Sequence, residues 1–491
     1  MHDLTRREVL PLLLAAPVAA HSLGKESGER LSLFDGKSIA GWKLVGPASA
    51  FKVTGGQIEA QGGPASIFYT GSRHDADFKN FEFTADVMLR AGAKSAICFH
   101  TAPQSAGGPS QGFQVLLADD YRGPNGFVQR SKTGSLCGVR NVYKQLMHDN
   151  DWFSLNILVR QKQVQIRLNN MLVVDYIEPD DAFSANPDFL CRIRHGTFAL
   201  QTLGPEAATA FRNLRVRALP DSISQVSDEK PQVDEVYREI IRLGAENYPV
   251  VDYHAHLKGG LTVEQALANS RRVGIGYGIA INCGLSFPVY DDSSVRDYLK
   301  SMRGQPCYVA MQGEGREWPT LVSSESVTKF DYVFTDAMTF RDDTGKRMRI
   351  WIPEEIGVIR DKQAFMEMYV KRIEGVMREP IDIYANATYL PDQIAAEYDA
   401  LWTPERMQRV IDAALRSEVA IEINNRRRIP SPAFIKRAKA AGCKFSFGTN
   451  NAEAELGRLE YPIQMVRQCG LAWQDIFVPR PDGQKPIQVR T

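Results

Sequence analysis

The spacing of apolar residues divides the chain into two parts with different periods. Between residues 30 and 218, short apolar runs alternate with turn residues, and few segments show a helical period. Phe81–Leu89 alternates apolar and polar positions, and Asn169-Asn170 separates two apolar runs in the manner of a hairpin turn. Many short strands at regular spacing are typical of a β-sandwich. The pattern therefore predicts an all-β domain over residues 30–218.

After residue 246, apolar strand-like runs alternate with amphipathic helices. Repeated β-then-α units predict a parallel sheet, and seven of them favour closure into a (β/α) barrel. We therefore predict an α/β barrel over 246–480, preceded by a linker and a lead-in helix over 219–245. The seven predicted strands lie at 250–253, 278–281, 307–311, 332–334, 381–384, 419–423 and 444–447.

The first twenty residues have the features of an export signal rather than of folded structure. Arg6 and Arg7 precede the short apolar run Pro11–Ala20, which ends in small residues. A twin arginine before such a run is typical of the pathway that exports folded proteins. We therefore predict a signal peptide over 1–20 and a periplasmic or extracellular protein. No later segment reaches the roughly 18 apolar residues of a membrane span.

The composition restricts the kind of ligand that the protein is expected to bind. Lys and Arg number 59 and Asp and Glu 58, so the basic excess expected of a nucleic-acid-binding surface is missing. A small neutral or locally charged ligand fits this balance better. Seven cysteines without a CxxC pair argue against a disulfide scaffold and predict buried thiols.

Polar side chains follow the end of every predicted barrel strand. In parallel α/β folds the active groups lie just past the carboxyl ends of the strands. The convergence of seven polar strand ends on one rim therefore predicts a site at the barrel mouth. The residues concerned are His254, His256, Asn282, Gln312, Glu314, Asp336, Asn386, Glu422, Asn424, Asn450 and Asn451.

His254-x-His256 is the sharpest of these signals. Side chains alternate along a strand, so both imidazoles lie on one side and suit Zn, Mn or Fe. Glu314 and Asp336 would complete a mixed nitrogen and oxygen shell around one divalent metal and a water molecule. The alternative is a pair of histidines hydrogen-bonded to barrel carbonyls.

Three further residues are candidates for the reaction itself. Glu422 or Lys258 could transfer the proton, and Arg316 could hold an anionic or carbonyl group of the substrate. An ordinary salt bridge is the alternative for Arg316. The run Arg426–Arg428 is more typical of a solvated rim than of an anion clamp.

The barrel resembles the PHP (polymerase and histidinol phosphatase-like) metal-dependent hydrolases. The resemblance rests on DYHAHLKGG with its two histidines, on Glu314, on Glu422-Ile423-Asn424 and on Gly448–Asn451. It implies a distorted (β/α)7 barrel that binds up to three metals and hydrolyses phosphoesters. Asn282, Asp336 and Asn450 stand where the family carries other ligands, so a reduced set with one metal is expected.

The sandwich resembles the 3-keto-disaccharide hydrolase family, whose members are concanavalin-like jelly rolls that cleave 3-keto-glycosides. The resemblance covers residues 30–218. The motifs on which the resemblance rests are LFDGK with GWK, FKV with GQI, Phe81-Glu82-Phe83, Gly112–Val115, Leu200-Gln201 and Phe211–Leu214.

The sandwich departs from that family where ionisable groups are expected. Gln114, Leu203 and Cys137 stand at positions expected to carry Glu, His and Tyr, respectively. Gln and Leu cannot transfer protons, so ligand binding with weak or absent catalysis is expected of this domain. Gln114, Asp119, Asp120 and Arg130 are the polar groups predicted nearest a ligand.

Three hypotheses of function remain open at this point. The first is an exported carbohydrate-active hydrolase or lyase, in which the sandwich holds a sugar or glycoside and the barrel performs metal-assisted chemistry. The second is a non-catalytic sugar-binding sandwich fused to a degenerate barrel. The third places catalysis in the sandwich, with Asp119 or Asp120 as the missing carboxylate.

Overall fold

A computed structural model of the chain describes residues 28–490 except 187, 188, 190, 205–207 and 343. The predicted signal peptide over 1–20 lies outside these residues. The described chain forms an antiparallel β-sandwich followed by a closed parallel barrel. None of its helices is both long and apolar enough to cross a membrane.

Thirteen strands build the sandwich, as the alternating pattern predicts. They are β1 (Leu31–Ser32), β2 (Trp42–Val45), β3 (Phe51–Thr54), β4 (Gln57–Ala60), β5 (Ala65–Tyr69), β6 (Phe81–Leu89), β7 (Ser95–Thr101), β8 (Phe113–Leu117), β9 (Phe153–Arg160), β10 (Gln163–Leu168), β11 (Met171–Ile177), β12 (Thr197–Thr202) and β13 (Thr209–Ala218).

These strands form two facing sheets. One has the order β11-β10-β9-β6-β13-β4-β3, with β1 added along β13, and the other has the order β2-β5-β12-β7-β8. Phe83 of β6 stacks on Phe198 of β12 with ring centroids 4.8 Å apart, which joins the two sheets across the core. The alternation of β6 therefore has the predicted cause, since its apolar residues face the opposite sheet.

The seven predicted barrel strands all form, and they close into one parallel barrel. A two-stranded hairpin, β18 (Thr339–Arg341) with β19 (Arg347–Arg349), is inserted after the fourth strand. The barrel strands are β14 (Val251–Ala255), β15 (Gly276–Cys283), β16 (Tyr308–Gly313), β17 (Tyr332–Thr335), β20 (Ile383–Tyr384), β21 (Ala420–Asn424) and β22 (Phe445–Gly448).

Helices cover the outside of the barrel and connect its strands. The one after β14 begins with a capping box between Thr262 and Gln265 and ends at Gly274 in the left-handed region, so the chain turns directly into β15. The helices are α1 (Glu235–Ala245), α2 (Val263–Val273), α3 (Asp292–Ser301), α4 (Trp318–Leu321), α5 (Ser324–Val327), α6 (Pro353–Ile356), α7 (Lys362–Val376), α8 (Asp392–Ala395), α9 (Tyr398–Leu401), α10 (Pro404–Arg416), α11 (Pro432–Ala441), α12 (Glu460–Cys469) and α13 (Pro486–Val489).

The sandwich packs against the amino ends of the barrel strands. Arg140 of the sandwich is buried and donates to the carbonyls of Arg271 and Arg272 at the end of α2, at 2.7 and 2.6 Å. Lys144 donates to the Asp331 carboxylate just before β17 at 2.7 Å. The sandwich therefore covers the end of the barrel opposite to the predicted site.

Candidate active site at the barrel mouth

The carboxyl ends of the barrel strands surround a polar cavity of about 230 Å³. Every one of its lining residues comes from the barrel, so the sandwich contributes nothing to it. Seven of the twelve are polar residues predicted at the strand ends, and Lys258 is a predicted catalytic residue. The lining residues are His256, Lys258, Asn282, Gln312, Glu314, Asp336, Met338, Trp351, Asn386, Arg426, Arg427 and Asn450.

Asp252 fixes the end of β14, which carries both histidines. Its buried carboxylate accepts hydrogen bonds from the Thr449 amide at 2.9 Å and the Thr449 hydroxyl at 2.6 Å, across the seam with β22. The same carboxylate accepts from the His254 amide at 3.1 Å. The barrel is thus closed at the point where His254 and His256 leave the strand.

The two imidazoles are close together, and each is held through Nδ1. Their ring centroids are 5.3 Å apart. Nδ1 of His254 lies 2.6 Å from Oε1 of Glu422, and Nδ1 of His256 lies 3.0 Å from the carbonyl oxygen of Ala280. These contacts require a proton on each Nδ1, so they leave Nε2 as the nitrogen that another group could use.

Glu422 and His254 form a buried ion pair. Burial opposes the charge on both groups, but their mutual attraction and hydrogen bond raise the pKa of His254 and lower the pKa of Glu422. Gly448 of β22 is required here, because a Cβ at that position would lie 2.2 Å from Oε1 of Glu422. His256 has the opposite environment, since burial and the nearby His254 lower its pKa well below the usual value.

Two carboxyl groups line the cavity beside these histidines. Burial, followed by the nearby Asp336 carboxylate, raises the pKa of Glu314 to about 7. Glu314 accepts a hydrogen bond from Asn282 at 2.6 Å, and Asp336 accepts from Asn386 at 2.8 Å. Burial likewise raises the pKa of Asp336. A carboxyl group with a pKa near neutrality can act as an acid or as a base.

Positively charged side chains and one aromatic ring complete the cavity. Lys258, Arg426 and Arg427 line it, together with Trp351, whose side chain follows the β18–β19 hairpin and is 37% exposed. Arg426 is exposed and Arg427 is half-buried, so the prediction that the arginine run forms a solvated rim stays a prediction for these two residues. Arg428 does not line this cavity, and its guanidinium lies over the ring of Tyr461 instead.

The three predicted catalytic residues occupy different places. Lys258 lines the cavity and donates to the carbonyl of Asn451 at 3.1 Å. Glu422 is buried behind His254, outside the cavity lining. Arg316 also lies outside the lining, and it pairs with Glu379 at 2.7 Å and donates to the carbonyl of Asp336 at 2.8 Å. Glu422 and Arg316 therefore position their neighbours.

The donor types and the arrangement of the predicted metal ligands can be compared with those of a metal-binding site. The donor types suit a divalent ion, and the Nδ1 contacts of His254 and His256 are typical of metal-bound histidines. Their arrangement fits less well, because no three His, Cys, Asp or Glu side chains in the described part of the chain form a group that could hold an ion. Amide groups bind both carboxylates instead. The metal stays a prediction, and no step proposed below depends on it.

A second cavity of about 390 Å³ adjoins the first and shares Arg427 with it. It is lined mainly by aromatic and apolar groups, among them Tyr389, Tyr398 and Tyr461. Asp392 is the only carboxylate in that lining, and no histidine belongs to it. We place the chemistry in the smaller cavity, because only that one holds a histidine and a pair of carboxyl groups.

The predicted ligand-binding residues of the sandwich do not form one site. Asp119 is buried and accepts from the amide and hydroxyl of Thr133 at 3.2 and 2.9 Å. Asp120 is exposed and accepts from the amide of Gly92. Arg130 lies at the domain interface, with its guanidinium 5.0 Å from the Trp473 ring centroid. Each of these groups therefore has a structural partner.

Gln114 alone lies on the outer face of the five-stranded sheet. Its amide approaches Gln201 at 3.4 Å, and Leu203 joins a small apolar cluster that includes Phe68 and Cys98 on the same sheet. This face therefore carries amides, thiols and apolar groups. Burial raises the pKa of the nearby Cys137 thiol to about 11, which favours the neutral thiol over the thiolate at neutral pH.

Sequence reasoning missed Trp351, Met338 and the orientation of Arg426 and Arg427. The arginines follow Glu422 and Asn424 at the end of β21, and this position was a usable signal. Trp351 follows an inserted hairpin, whose path across the mouth cannot be inferred from any periodicity.

Comparison with known proteins supports the fold of the first domain. Residues 29–217 match the 3-keto-alpha-glucoside-1,2-lyase-like domain family. No curated protein shows a significant match to the chain.

Among solved structures, a candidate glycosyl hydrolase from Parabacteroides distasonis is 22% identical, covers 39% of this chain and 94% of its own length, and has a TM-score of 0.33. The carbohydrate-binding module CBM66 from Bacillus subtilis is 14% identical, with 36% and 96% coverage and a TM-score of 0.25. A β-glucanase from Bacillus licheniformis is 10% identical, with 40% and 100% coverage and a TM-score of 0.26. The first domain of this chain is thus a jelly-roll-like β-sandwich of the 3-keto-alpha-glucoside-1,2-lyase-like type.

Proposed function

We propose that the chain is an exported carbohydrate-active enzyme, a hydrolase or lyase of glycosides or 3-keto-glycosides, with its catalytic centre at the barrel mouth. The family of the sandwich supports the substrate class. One observation carries the location of catalysis: Glu314 and Asp336 line the same cavity as three positively charged side chains. In the sandwich, Gln114 takes the place of an ionisable group.

The chemistry of a 3-keto-glycoside suits a pair of carboxyl groups. Elimination removes the proton from the carbon between the carbonyl and the anomeric carbon, and the bond to the aglycone oxygen breaks. A proton delivered to that oxygen completes the step, and water then adds to the unsaturated sugar. One carboxylate and one carboxylic acid can supply both transfers.

The surrounding groups have supporting roles in this proposal. Lys258 lines the same cavity and would stabilise negative charge that develops on the carbonyl oxygen. Glu422 and Arg316 hold His254 and the end of β17, respectively, so their loss would act through geometry. The sandwich would bind sugar without catalysis, because Asp119 and Asp120 already have hydrogen-bond partners.

The test is turnover of chromogenic glycosides and 3-keto-glycosides by the full-length protein. We expect Glu314→Gln to lower kcat about 100- to 10,000-fold, as loss of a general acid or base does. Asp336→Asn should lower kcat to a similar extent. Gln114→Ala, the matched variant in the sandwich, should leave kcat close to that of the wild type.

Circular dichroism and thermal melting of each variant check that the fold is retained. The opposite pattern, in which Gln114→Ala abolishes turnover and both barrel variants keep it, would place catalysis in the sandwich. Wild-type protein that binds these sugars without any turnover would favour the non-catalytic alternative.

A further inference from the structure

The barrel-mouth cavity contains more positive than negative side chains. Lys258, Arg426 and Arg427 face two carboxyl groups, Glu314 and Asp336, and the remaining lining residues carry no fixed charge. With both carboxyl groups ionised the excess is one positive charge, and with one of them protonated, as the proposed chemistry requires, it is two. Polar cavities with an uncompensated charge attract ligands of opposite charge.

Within the described ranges, none of these three cations forms a direct ion pair with an Asp or Glu side chain. Lys258 is attracted at longer range by the carboxylates of Glu314 and Glu453 and repelled by Arg426. Lys258 donates only to the carbonyl of Asn451, and the guanidinium of Arg427 lies 4.9 Å from the ring centroid of Tyr389. Elsewhere in the barrel arginines are paired, as in the bidentate contact of Arg409 with Glu374.

We propose that the sugar bound at the barrel mouth carries a carboxylate, as a hexuronic acid does, and that Lys258, Arg426 and Arg427 bind this group. The inference rests on the proposed function, since it names the class of sugar for the same cavity. Guanidinium groups match the geometry of a carboxylate, and charge-assisted hydrogen bonds are stronger than neutral ones.

The rest of the lining suits the uncharged part of such a sugar. Asn282, Gln312, Asn386 and Asn450 present amides, which can both donate to and accept from hydroxyl groups. The half-exposed indole of Trp351 offers a flat surface for the apolar face of a sugar ring. A carboxylate leaves the cavity without a negative excess in either protonation state, whereas a dianionic phosphoryl group would leave one when Glu314 and Asp336 are both ionised.

The experiment is calorimetric titration of the full-length protein with glucuronate, glucose and glucose 6-phosphate. We expect glucuronate to bind at least about tenfold more tightly than glucose. Arg426→Gln and Arg427→Gln should each reduce this preference for glucuronate over glucose several-fold. Arg428→Gln is the matched control, because Arg428 follows directly in the chain but lies outside the cavity lining.

Raising the salt concentration should weaken glucuronate binding and not glucose binding. Equal wild-type affinities for glucose and glucuronate would overturn the inference and leave the proposed function intact. Tighter binding of glucose 6-phosphate than of glucuronate would overturn the assignment to a carboxylate. An equal loss in Arg428→Gln would exclude the cavity cations as its cause. Absence of both sugar binding and turnover would overturn the proposed function as well.

Discussion

The sandwich and the barrel both bring polar side chains to one end or face of a β-sheet, but the groups differ in chemistry. On the outer sheet of the sandwich these are the amides of Gln114 and Gln201, beside apolar side chains and neutral thiols. At the barrel mouth they are carboxyl groups, an imidazole and three cations. Under the proposed function, the sandwich retains the strand framework of an enzyme family while the proton transfers take place in the barrel.

The position of the domain interface separates the outer sheet face of the sandwich from the cavity at the barrel mouth. The sandwich contacts the amino ends of the barrel strands, whereas the cavity lies at their carboxyl ends. Substitutions in one region should consequently leave the chemistry of the other unchanged, and the following predictions test this separation.

The largest difference that we expect between the two domains is in metal binding, which the sequence predicts for the barrel alone. The sequence predicts that the wild type, incubated with Zn, Mn or Fe, retains one ion per chain, although the side chains in the described part of the chain form no group of three that could hold it. His254→Ala combined with His256→Ala should retain none, because these two residues supply the imidazole donors. Elemental analysis after dialysis measures the stoichiometry. His195→Ala, which changes an exposed histidine of the sandwich, is the control. A metal-free wild type would contradict the prediction.

The second prediction concerns the contribution of the interface between the sandwich and the barrel to stability. Arg140 is buried and donates to the carbonyls of Arg271 and Arg272 and to the hydroxyl of Tyr237. Arg140→Ala should lower the free energy of unfolding by about 3 kcal/mol, since several charge-assisted hydrogen bonds are lost together. Denaturant titration measures this change in the free energy of unfolding. A change below about 0.5 kcal/mol, the size expected of the exposed control Arg428→Ala, would show that the domains fold independently of this contact.

The third prediction concerns the pH dependence of the sandwich. Burial raises the pKa of Asp119 to about 6 from an ordinary value of 3.8, so the folded state holds this proton more tightly than the unfolded state. Its stabilising contribution is present below pH 3.8 and is lost as the pH rises through 6. Relative to Asp119→Asn, the wild type should lose about 2 kcal/mol of unfolding free energy between pH 4 and 7.

Denaturant titrations across this pH range give the difference between the two proteins. Asp120→Asn, a change at the adjacent exposed carboxyl, should keep the wild-type slope. Parallel curves for the wild type and Asp119→Asn would show that Asp119 has the same pKa in both states.

The smallest effect is expected on the outer face of the sandwich. Gln114→Ala removes an amide that contacts Gln201 and is free of any role in proton transfer. We expect the Kd of the sandwich for a glycoside to rise about two- to fivefold, as for one lost neutral hydrogen bond, with kcat and KM of the barrel reaction unchanged. Calorimetric titration measures the Kd, and steady-state kinetics measure the other two constants. An unchanged Kd would mean that the sugar does not bind to this face.

Particular residues show how far sequence reasoning extends into the site. The period of the apolar residues predicts both domains and all seven barrel strands, with ends within three residues of those observed. His256, Lys258, Glu314 and Asp336 could be assigned to the mouth because they follow strand ends, and all four line the cavity. Glu422 lies within β21 and Arg316 follows β16, but Glu422 contacts His254 and Arg316 contacts Glu379, and neither lines the cavity.

The sequence by itself determined the local features of this protein: the change of period near residue 246, the polar strand ends, and the pair of histidines two positions apart. These depend on alternation along a strand and on the rule that parallel strands share one carboxyl edge. Only the tertiary structure decided that Arg426, Arg427 and Trp351 face the cavity and that Arg130 faces the barrel. Those outcomes depend on loop paths and on packing between residues far apart in the chain, which no local pattern encodes.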